Sequence, residues 1–174
     1  MTHRVLVAYA SKHGSTAEIA RRIGSVLSSA GLATDVRSLD NDVFALSDYT
    51  AVILGSAVYA GQWQKSAADF LQAQQHALTN RPTWLFSSGP TGEGDPVELL
   101  RGWRFPSALL PVADVIRPRE IVVFSGEIDP SRLNFAEKLI VRGVKAATGD
   151  FRDWESITQW AESVATVLQP QHTP

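Results

Sequence analysis

Val5-Leu6-Val7-Ala8-Tyr9-Ala10-Ser11-Lys12-His13-Gly14-Ser15-Thr16-Ala17 decides the fold. Its first half is a continuous apolar run of strand length, the pattern of a strand buried on both faces. Ala17-Glu18-Ile19-Ala20-Arg21-Arg22-Ile23 then begins a helical repeat. A short loop, rich in hydroxyls and carrying one glycine, therefore joins the end of a strand to the start of a helix. The first N–H groups of a helix lack partners, and the helix dipole adds partial positive charge there. Such a junction is a ready site for a phosphate. Gly14 lets the backbone approach closely, and Ser11, Ser15 and Thr16 add hydroxyl donors. Taken alone, the loop reads equally well as a plain turn with Ser15 or Thr16 as N-cap. It holds neither G-x-x-x-x-G-K-[ST] nor G-x-G-x-x-G, so nucleoside triphosphate and classical dinucleotide readings lose their main support.

The same alternation continues down the chain. After the first helix, Gly31 is a suitable C′ residue. Ala33-Thr34-Asp35-Val36-Arg37-Ser38-Leu39 is more alternating than the first strand and reads as an edge strand. Residues 41–48 read as a loop with a short helical turn. Thr50-Ala51-Val52-Ile53-Leu54-Gly55 is a third, buried strand. A helix bearing Ala67, Phe70, Leu71 and Leu78 on one face follows, then a strand at Thr83-Trp84-Leu85-Phe86. Residues 97–119 are the least regular, with Pro106, Pro111 and Pro118 limiting a helix over 107–116. Glu120-Ile121-Val122-Val123-Phe124-Ser125-Gly126 is the fifth strand. The spacing predicts a helix over 130–148 with Leu133, Ala136, Ile140, Val144 and Ala147 inward. Asp153 then caps a last helix carrying Ile157, Trp160, Ala161, Val164 and Leu168. Residues 1–168 read as one domain and 169–174 as a frayed tail.

Five strands alternating with helices imply an α/β doubly wound parallel sheet covered on both faces. A central first strand beside an edge second strand gives the order 2-1-3-4-5. In that layout ligands sit beyond the carboxyl ends of strands 1, 3 and 4. Three polar, glycine-bearing loops fall there: Ser11-Lys12-His13-Gly14-Ser15-Thr16, Ser56-Ala57-Val58-Tyr59-Ala60-Gly61-Gln62-Trp63 and Ser87-Ser88-Gly89-Pro90-Thr91-Gly92-Glu93. The first offers a phosphate site, the second flat aromatic faces at Tyr59 and Trp63, the third backbone N–H groups and hydroxyls. A phosphorylated planar ring fits all three. Trp63 reads better as packing under the following helix, Trp84, Trp154 and Trp160 as core, and Trp103 as either a ring cover or a loop anchor.

Composition narrows the chemistry. The 174 residues suit one domain with a real core. A net charge of −2 gives no case for nucleic acid as partner. No apolar run reaches membrane-span length, and Met1-Thr2-His3-Arg4 leads straight into a strand, so a cytoplasmic protein without stable membrane insertion is expected. There is no cysteine, which removes thiol catalysis, disulfide exchange and thiolate-held metals. His3, His13, His76 and His172 lack metal-ligand spacing. Electrons, if the protein moves them, must travel on an organic cofactor. A phospho-acceptor module on the same strand order needs carboxylates at the ends of strands 1 and 3. Those ends read Tyr9-Ala10-Ser11 and Leu54-Gly55-Ser56, with no acid.

Residues 5–20 resemble the FMN phosphate loop of flavodoxins, with residues 11–16 at that loop's positions, and the resemblance extends over nearly the whole chain. It is drawn further, towards the flavodoxin-like, menaquinone-dependent protoporphyrinogen oxidases, by Gly55-Ser56-Ala57-Val58-Tyr59-Ala60-Gly61, Lys145-Ala146-Ala147-Thr148-Gly149 and Phe151-Arg152-Asp153-Trp154-Glu155. Those oxidases carry a basic segment after the fourth strand, where this chain has the acidic Gly89-Pro90-Thr91-Gly92-Glu93-Gly94-Asp95-Pro96. The resemblance implies non-covalent FMN held by Ser11, Lys12, His13, Gly14, Ser15 and Thr16, by Ser56, Ala57, Val58, Tyr59, Ala60 and Gly61, and by Ser88, Gly89, Pro90, Thr91 and Gly92. It implies no catalytic side chain and no metal. It also implies a redox partner protein or a small-molecule electron donor or acceptor. Two roles stay open: an oxidoreductase acting on a quinone or porphyrinogen, and an electron shuttle between larger redox proteins. A cofactor-free interaction domain is the remaining alternative.

Overall fold

A computed structural model describes residues 3–170. The elements in chain order are β1 (Arg4–Ala10), α1 (Ser15–Ser29), β2 (Ala33–Ser38), β3 (Ala51–Tyr59), β4 (Gln62–Trp63), α2 (Lys65–Ala73), α3 (Gln75–Thr79), β5 (Thr83–Ser88), α4 (Pro96–Leu99), α5 (Leu110–Ile116), β6 (Glu120–Phe124), β7 (Glu127–Ile128), α6 (Phe135–Gly143), β8 (Gly149–Asp150) and α7 (Trp154–Leu168). The main sheet has the order β2-β1-β3-β5-β6, all parallel, with β4 hydrogen-bonded to β3. With β4 set aside, this is the expected doubly wound order.

Side chains alternate across the strands and so feed two cores. Val5, Val7, Ile53 and Phe86 pack against Ile19, Ile23 and Leu27 of α1 and Ile157, Ala161 and Val164 of α7. Leu6, Ala8, Val52, Leu54 and Leu85 face the other way, onto Ala67, Leu71, Leu78, Ala113 and Ile116. β1, β3 and β5 are buried on both faces, which is why they read as unbroken apolar runs. The end of α1 is closed as expected. Gly31 has φ +87°, and the Leu32 N–H donates to the Leu27 carbonyl at 3.1 Å.

Three local expectations are corrected. β3 does not end at Gly55 but runs on to Tyr59, turns at Ala60 (φ 49°) and Gly61 (φ 72°), and pairs antiparallel with Gln62 and Trp63. Two consecutive positive φ values are the hairpin geometry that matches strand twist. The helix expected to carry residues 67–78 breaks at Gln74 into α2 and α3. The helix expected over 130–148 shrinks to α6, and its apolar residues are not in the core: Ile140 is 64 % and Val144 70 % exposed. Asn134 and Glu137 form a reciprocal capping box that starts α6 at Phe135 rather than at Pro130. Of the tail expected at 169–174, residues 171–174 lie outside the described residues, and Gln169 donates through Nε2 to the Ala30 carbonyl at 2.9 Å. Met1 and Thr2 also lie outside them.

Among the aromatics, Trp84 is buried, while Trp154 and Trp160 pack at the border of the α1–α7 core. Trp63 is buried, donates from Nε1 to Ser87 Oγ at 2.9 Å, and meets the Phe105 ring edge-on. It belongs to the core that also contains Ala67 and Leu71 of α2. Trp103 sits beside the Gly61 turn, with Nε1 3.8 Å from where a Cβ on Gly61 would lie.

Candidate functional site

At the carboxyl edge of β1 the chain turns through residues 11–14 into α1. Gly14 is the N-cap residue, in a left-handed conformation (φ 91°), and no side chain caps the helix. Only a residue without Cβ takes that conformation at no cost. The Ser11 hydroxyl accepts the Gly14 N–H at 3.1 Å, which pinches the loop and leaves the hydroxyl proton free to donate. The first intrahelical bond runs from Glu18 N–H to the Gly14 carbonyl. The N–H groups of Ser15, Thr16 and Ala17 precede it and have no intrahelical acceptor. An uncapped helix start behind a left-handed glycine is an anion-binding arrangement.

A cleft of about 290 Å³ opens beside this loop. Its floor is Ser11, His13, Ser15 and Thr16 from the loop and Ser88 and Gly89 from the end of β5. One wall is Ala57, Val58, Tyr59 and Ala60 from the β3 hairpin. A smaller cavity of about 170 Å³ adjoins it, lined by Lys12, His13 and Tyr59 among others. The three segments expected at the carboxyl edge are therefore brought together. Ser56 stands apart from the cleft lining. It is fully buried, accepts from Gln64 N–H at 2.9 Å and donates to the Ala57 carbonyl at 2.8 Å, so it holds the hairpin's root. Gly61, Pro90 and Thr91 do not line the cleft either, and Gly92 borders a separate groove beside β6. A larger hollow of about 790 Å³ lies at the opposite edge, at residues 79–83 and 114–119. It meets the amino ends of β5 and β6, where open α/β sheets do not place their ligands.

The opposite wall of the cleft was missed by the spacing argument. It consists of Gly126, Glu127 and Ile128 and of Ile140, Val141, Val144 and Ala146 from the α6 region. β7 and β8 pair with each other off the main sheet, and that small ladder brackets residues 130–148, whose Ile140, Val141, Val144 and Ala146 line the cleft. The Asn-x-x-Glu pattern at 134–137 was the available signal for where this helix starts.

Charged side chains tie the α6 region to the loop. Glu137 pairs with Lys12 at 2.6 Å and lies 3.0 Å from His13 Nε2. The hydrogen bond from Lys12 holds the Glu137 carboxyl below its ordinary range. Lys12 also stands 5.4 Å from the Tyr59 ring centroid. Tyr59 is 44 % exposed, yet partial burial, with the nearby Glu137 charge, pushes its hydroxyl pKa up. The phenol therefore stays neutral at neutral pH and presents an aromatic face to the cleft.

Arg152, between β8 and α7, is the second tie. Its side chain is 5 % exposed and reaches Glu18 at 2.5 Å, Asp150 at 2.7 Å and Glu127 at 3.1 Å. It also donates to the Ser15 carbonyl at 3.3 Å and stacks 4.7 Å from the Trp154 ring. One buried cation thus joins the start of α1, the rim of the cleft and the root of α7. Bonding by Arg152 holds the Asp150 carboxyl below the ordinary carboxylate range. The Asp153 carboxylate caps α7 by accepting the Ser156 N–H at 3.0 Å, as expected.

No group of three metal-ligating side chains occurs among the described residues, and no helix among them is long and apolar enough to cross a membrane.

Comparison with known proteins bears on the family and the fold. The family model described as flavodoxin domain matches residues 6–155. The protoporphyrinogen IX dehydrogenase [quinone] of Escherichia coli K12 is 18 % identical over 172 residues, covering 93 % of this chain and 94 % of that protein. A flavodoxin from the domain Archaea superposes with a TM-score of 0.62 at 12 % identity, covering 94 % of this chain and 97 % of that one. The flavodoxin of Streptococcus pneumoniae TIGR4 gives 0.59 at 17 % identity, with 95 % and 99 % covered. At these identities the structural likeness shows the fold.

Proposed function

We propose a function from one premise: this chain belongs to the flavodoxin domain family. It binds FMN non-covalently at the cleft beside the α1 loop and transfers electrons between a donor and an acceptor. The observation that carries this is the uncapped start of α1 behind left-handed Gly14, opening onto a cleft walled by the β3 hairpin and the end of β5. The amides of Ser15, Thr16 and Ala17, with the Ser11 and Thr16 hydroxyls, would hold the phosphate. Residues 57–60 and Tyr59 above all would face the ring, with Ser88 and Gly89 on the far side. A single phosphate loop favours FMN over FAD. When bound, the flavin supplies the redox chemistry, so the protein needs no acid, base or metal of its own. The residues bind, orient and shield.

The partner is a redox protein or a small-molecule donor or acceptor, and the setting is the cytoplasm. A second reading, an oxidoreductase acting on a quinone or porphyrinogen, is favoured by one observation. Ile140 and Val144 leave an apolar surface at the cleft rim although they are largely exposed. A flat apolar co-substrate would find its wall there, and the full-length similarity to the Escherichia coli dehydrogenase points the same way. Supplying NAD(P)H, a quinol, protoporphyrinogen and a flavodoxin reductase in turn to anaerobic holoprotein separates the two readings.

Acid extraction of the reconstituted protein tests the cofactor. FMN in a one-to-one ratio is the expected result; FAD, or no flavin after reconstitution, overturns the proposal. Thr16→Ala should weaken FMN about 10- to 100-fold, since a hydrogen bond to a charged group contributes roughly 1.5–3 kcal/mol. Fluorescence quenching of FMN measures it, and an unchanged dissociation constant removes Thr16 from the phosphate site.

A further inference from the structure

We propose that Arg132 is a phosphate-binding residue, reaching the α1 loop from the segment between β7 and α6. This rests on the FMN reading above. Arg132 follows Pro130 in a short turn whose start is fixed by the Asp129 carboxylate, which accepts the Ser131 N–H at 2.9 Å and the Ser131 hydroxyl at 2.7 Å. From that turn the guanidinium extends across to the loop, and Nη1 donates to the His13 carbonyl at 3.0 Å. The same atom lies 3.6 Å from where a Cβ on Gly14 would stand. The guanidinium therefore rests against the one residue of the loop that has no side chain.

Charge accounting sets Arg132 apart from its neighbours. Lys12 and His13 both face Glu137, with Lys12 at hydrogen-bonding distance from its carboxylate. Among the described residues Arg132 meets one carboxylate, that of Asp129, through Nε, at 3.5 Å, a long contact for a carboxylate already bonded twice to Ser131. A guanidinium carries five N–H donors in a planar fork that matches phosphate oxygens. One of them holds the His13 carbonyl, which leaves the outer edge of the fork for an anion. The α1 loop supplies amides and hydroxyls, its Lys12 is held by Glu137 at 2.6 Å, and the Arg132 contact with a carboxylate is the looser of the two. Arg132 thus offers a phosphate dianion a guanidinium only loosely held by its own carboxylate, and it makes recognition of the phosphate depend on the chain that folds over the cleft.

The test titrates flavin-free protein with FMN and, separately, with riboflavin, following flavin fluorescence in the wild type, Arg132→Gln and Arg132→Lys. Arg132→Gln should weaken FMN about tenfold or more, leave riboflavin within twofold, and flatten the salt dependence of FMN binding. Arg132→Lys should restore part of the loss. If Arg132→Gln leaves FMN unchanged, or weakens FMN and riboflavin equally, Arg132 only supports the His13 carbonyl and the proposal is overturned. Failure of the underlying reading looks different: the wild type itself then binds FMN no better than riboflavin, and the proposal falls with it.

Discussion

Replacing Gly55 by alanine is expected to lower the unfolding free energy by about 3 kcal/mol, the upper end of the overpacking range. Gly55 lies mid-way along β3, opposite Phe86 of β5. A Cβ there would stand 2.0 Å from Phe86 Cζ and 2.2 and 2.3 Å from its Cε atoms. The ring has nowhere to retreat, because Phe86 is fully buried and packs 5.9 Å from Phe124. Interiors at native density do not absorb such an overlap. Urea denaturation measures the loss. In a Phe86→Leu background the same substitution should cost less than half as much, since contacting residues couple. Equal costs in both backgrounds would contradict the steric account. The position also bears on function, because β3 delivers the 57–61 hairpin to the cleft.

Arg152→Met should cost about 3 kcal/mol at neutral pH. Removing one member of a buried ionic network leaves its partners unpaired, at roughly 3–5 kcal/mol. The lower end applies here because Glu18 and Asp150 are about two-fifths exposed and water screens them. The pH dependence follows from the depressed Asp150 pKa. A depressed carboxylate contributes stability that is fully present above its unfolded value near 3.9 and is lost as pH falls through the folded value. The gap between wild type and variant should therefore be full at pH 7 and shrink below about pH 4. A gap independent of pH would mean that Arg152 acts by packing on Trp154 alone.

The sheet was legible because its central strands carry one kind of information. Val5 to Ala8, Ala51 to Leu54 and Trp84 to Phe86 are apolar on both faces, the pattern of a covered parallel sheet. The loop proposed to hold the phosphate was legible as a strand-to-helix junction because Gly14 and its neighbouring hydroxyls lie between a strand and a helix. The β3 hairpin was not. Ala57-Val58-Tyr59 is bracketed by Gly55 and Gly61, which reads as loop, and only pairing with Gln62 and Trp63 makes it strand. Pairing of that kind is decided in three dimensions.

The α6 region failed for a related reason. Ile140 and Val144 recur at helical spacing, and spacing predicts a face without saying what it meets. Here that face lines the cleft at the carboxyl edge of the sheet instead of the core. The ties that hold the region in place join residues far apart in sequence: Arg132 to His13, Glu137 to Lys12, and Arg152 to Glu18. Single charges in a polar stretch carry no periodicity, so nothing local marks their partners.

The most direct test of the central claim is a two-dimensional ¹⁵N–¹H NMR titration of the flavin-free protein with FMN and then with riboflavin. The account predicts that FMN moves the backbone amides of residues 11–17 most, together with 57–61, 88–89 and 126–128. Riboflavin should move the last three groups and leave Ser15, Thr16 and Ala17 near their starting positions. Shifts clustered instead at residues 79–83 and 114–119, or amides of 15–17 that respond equally to both flavins, would contradict it.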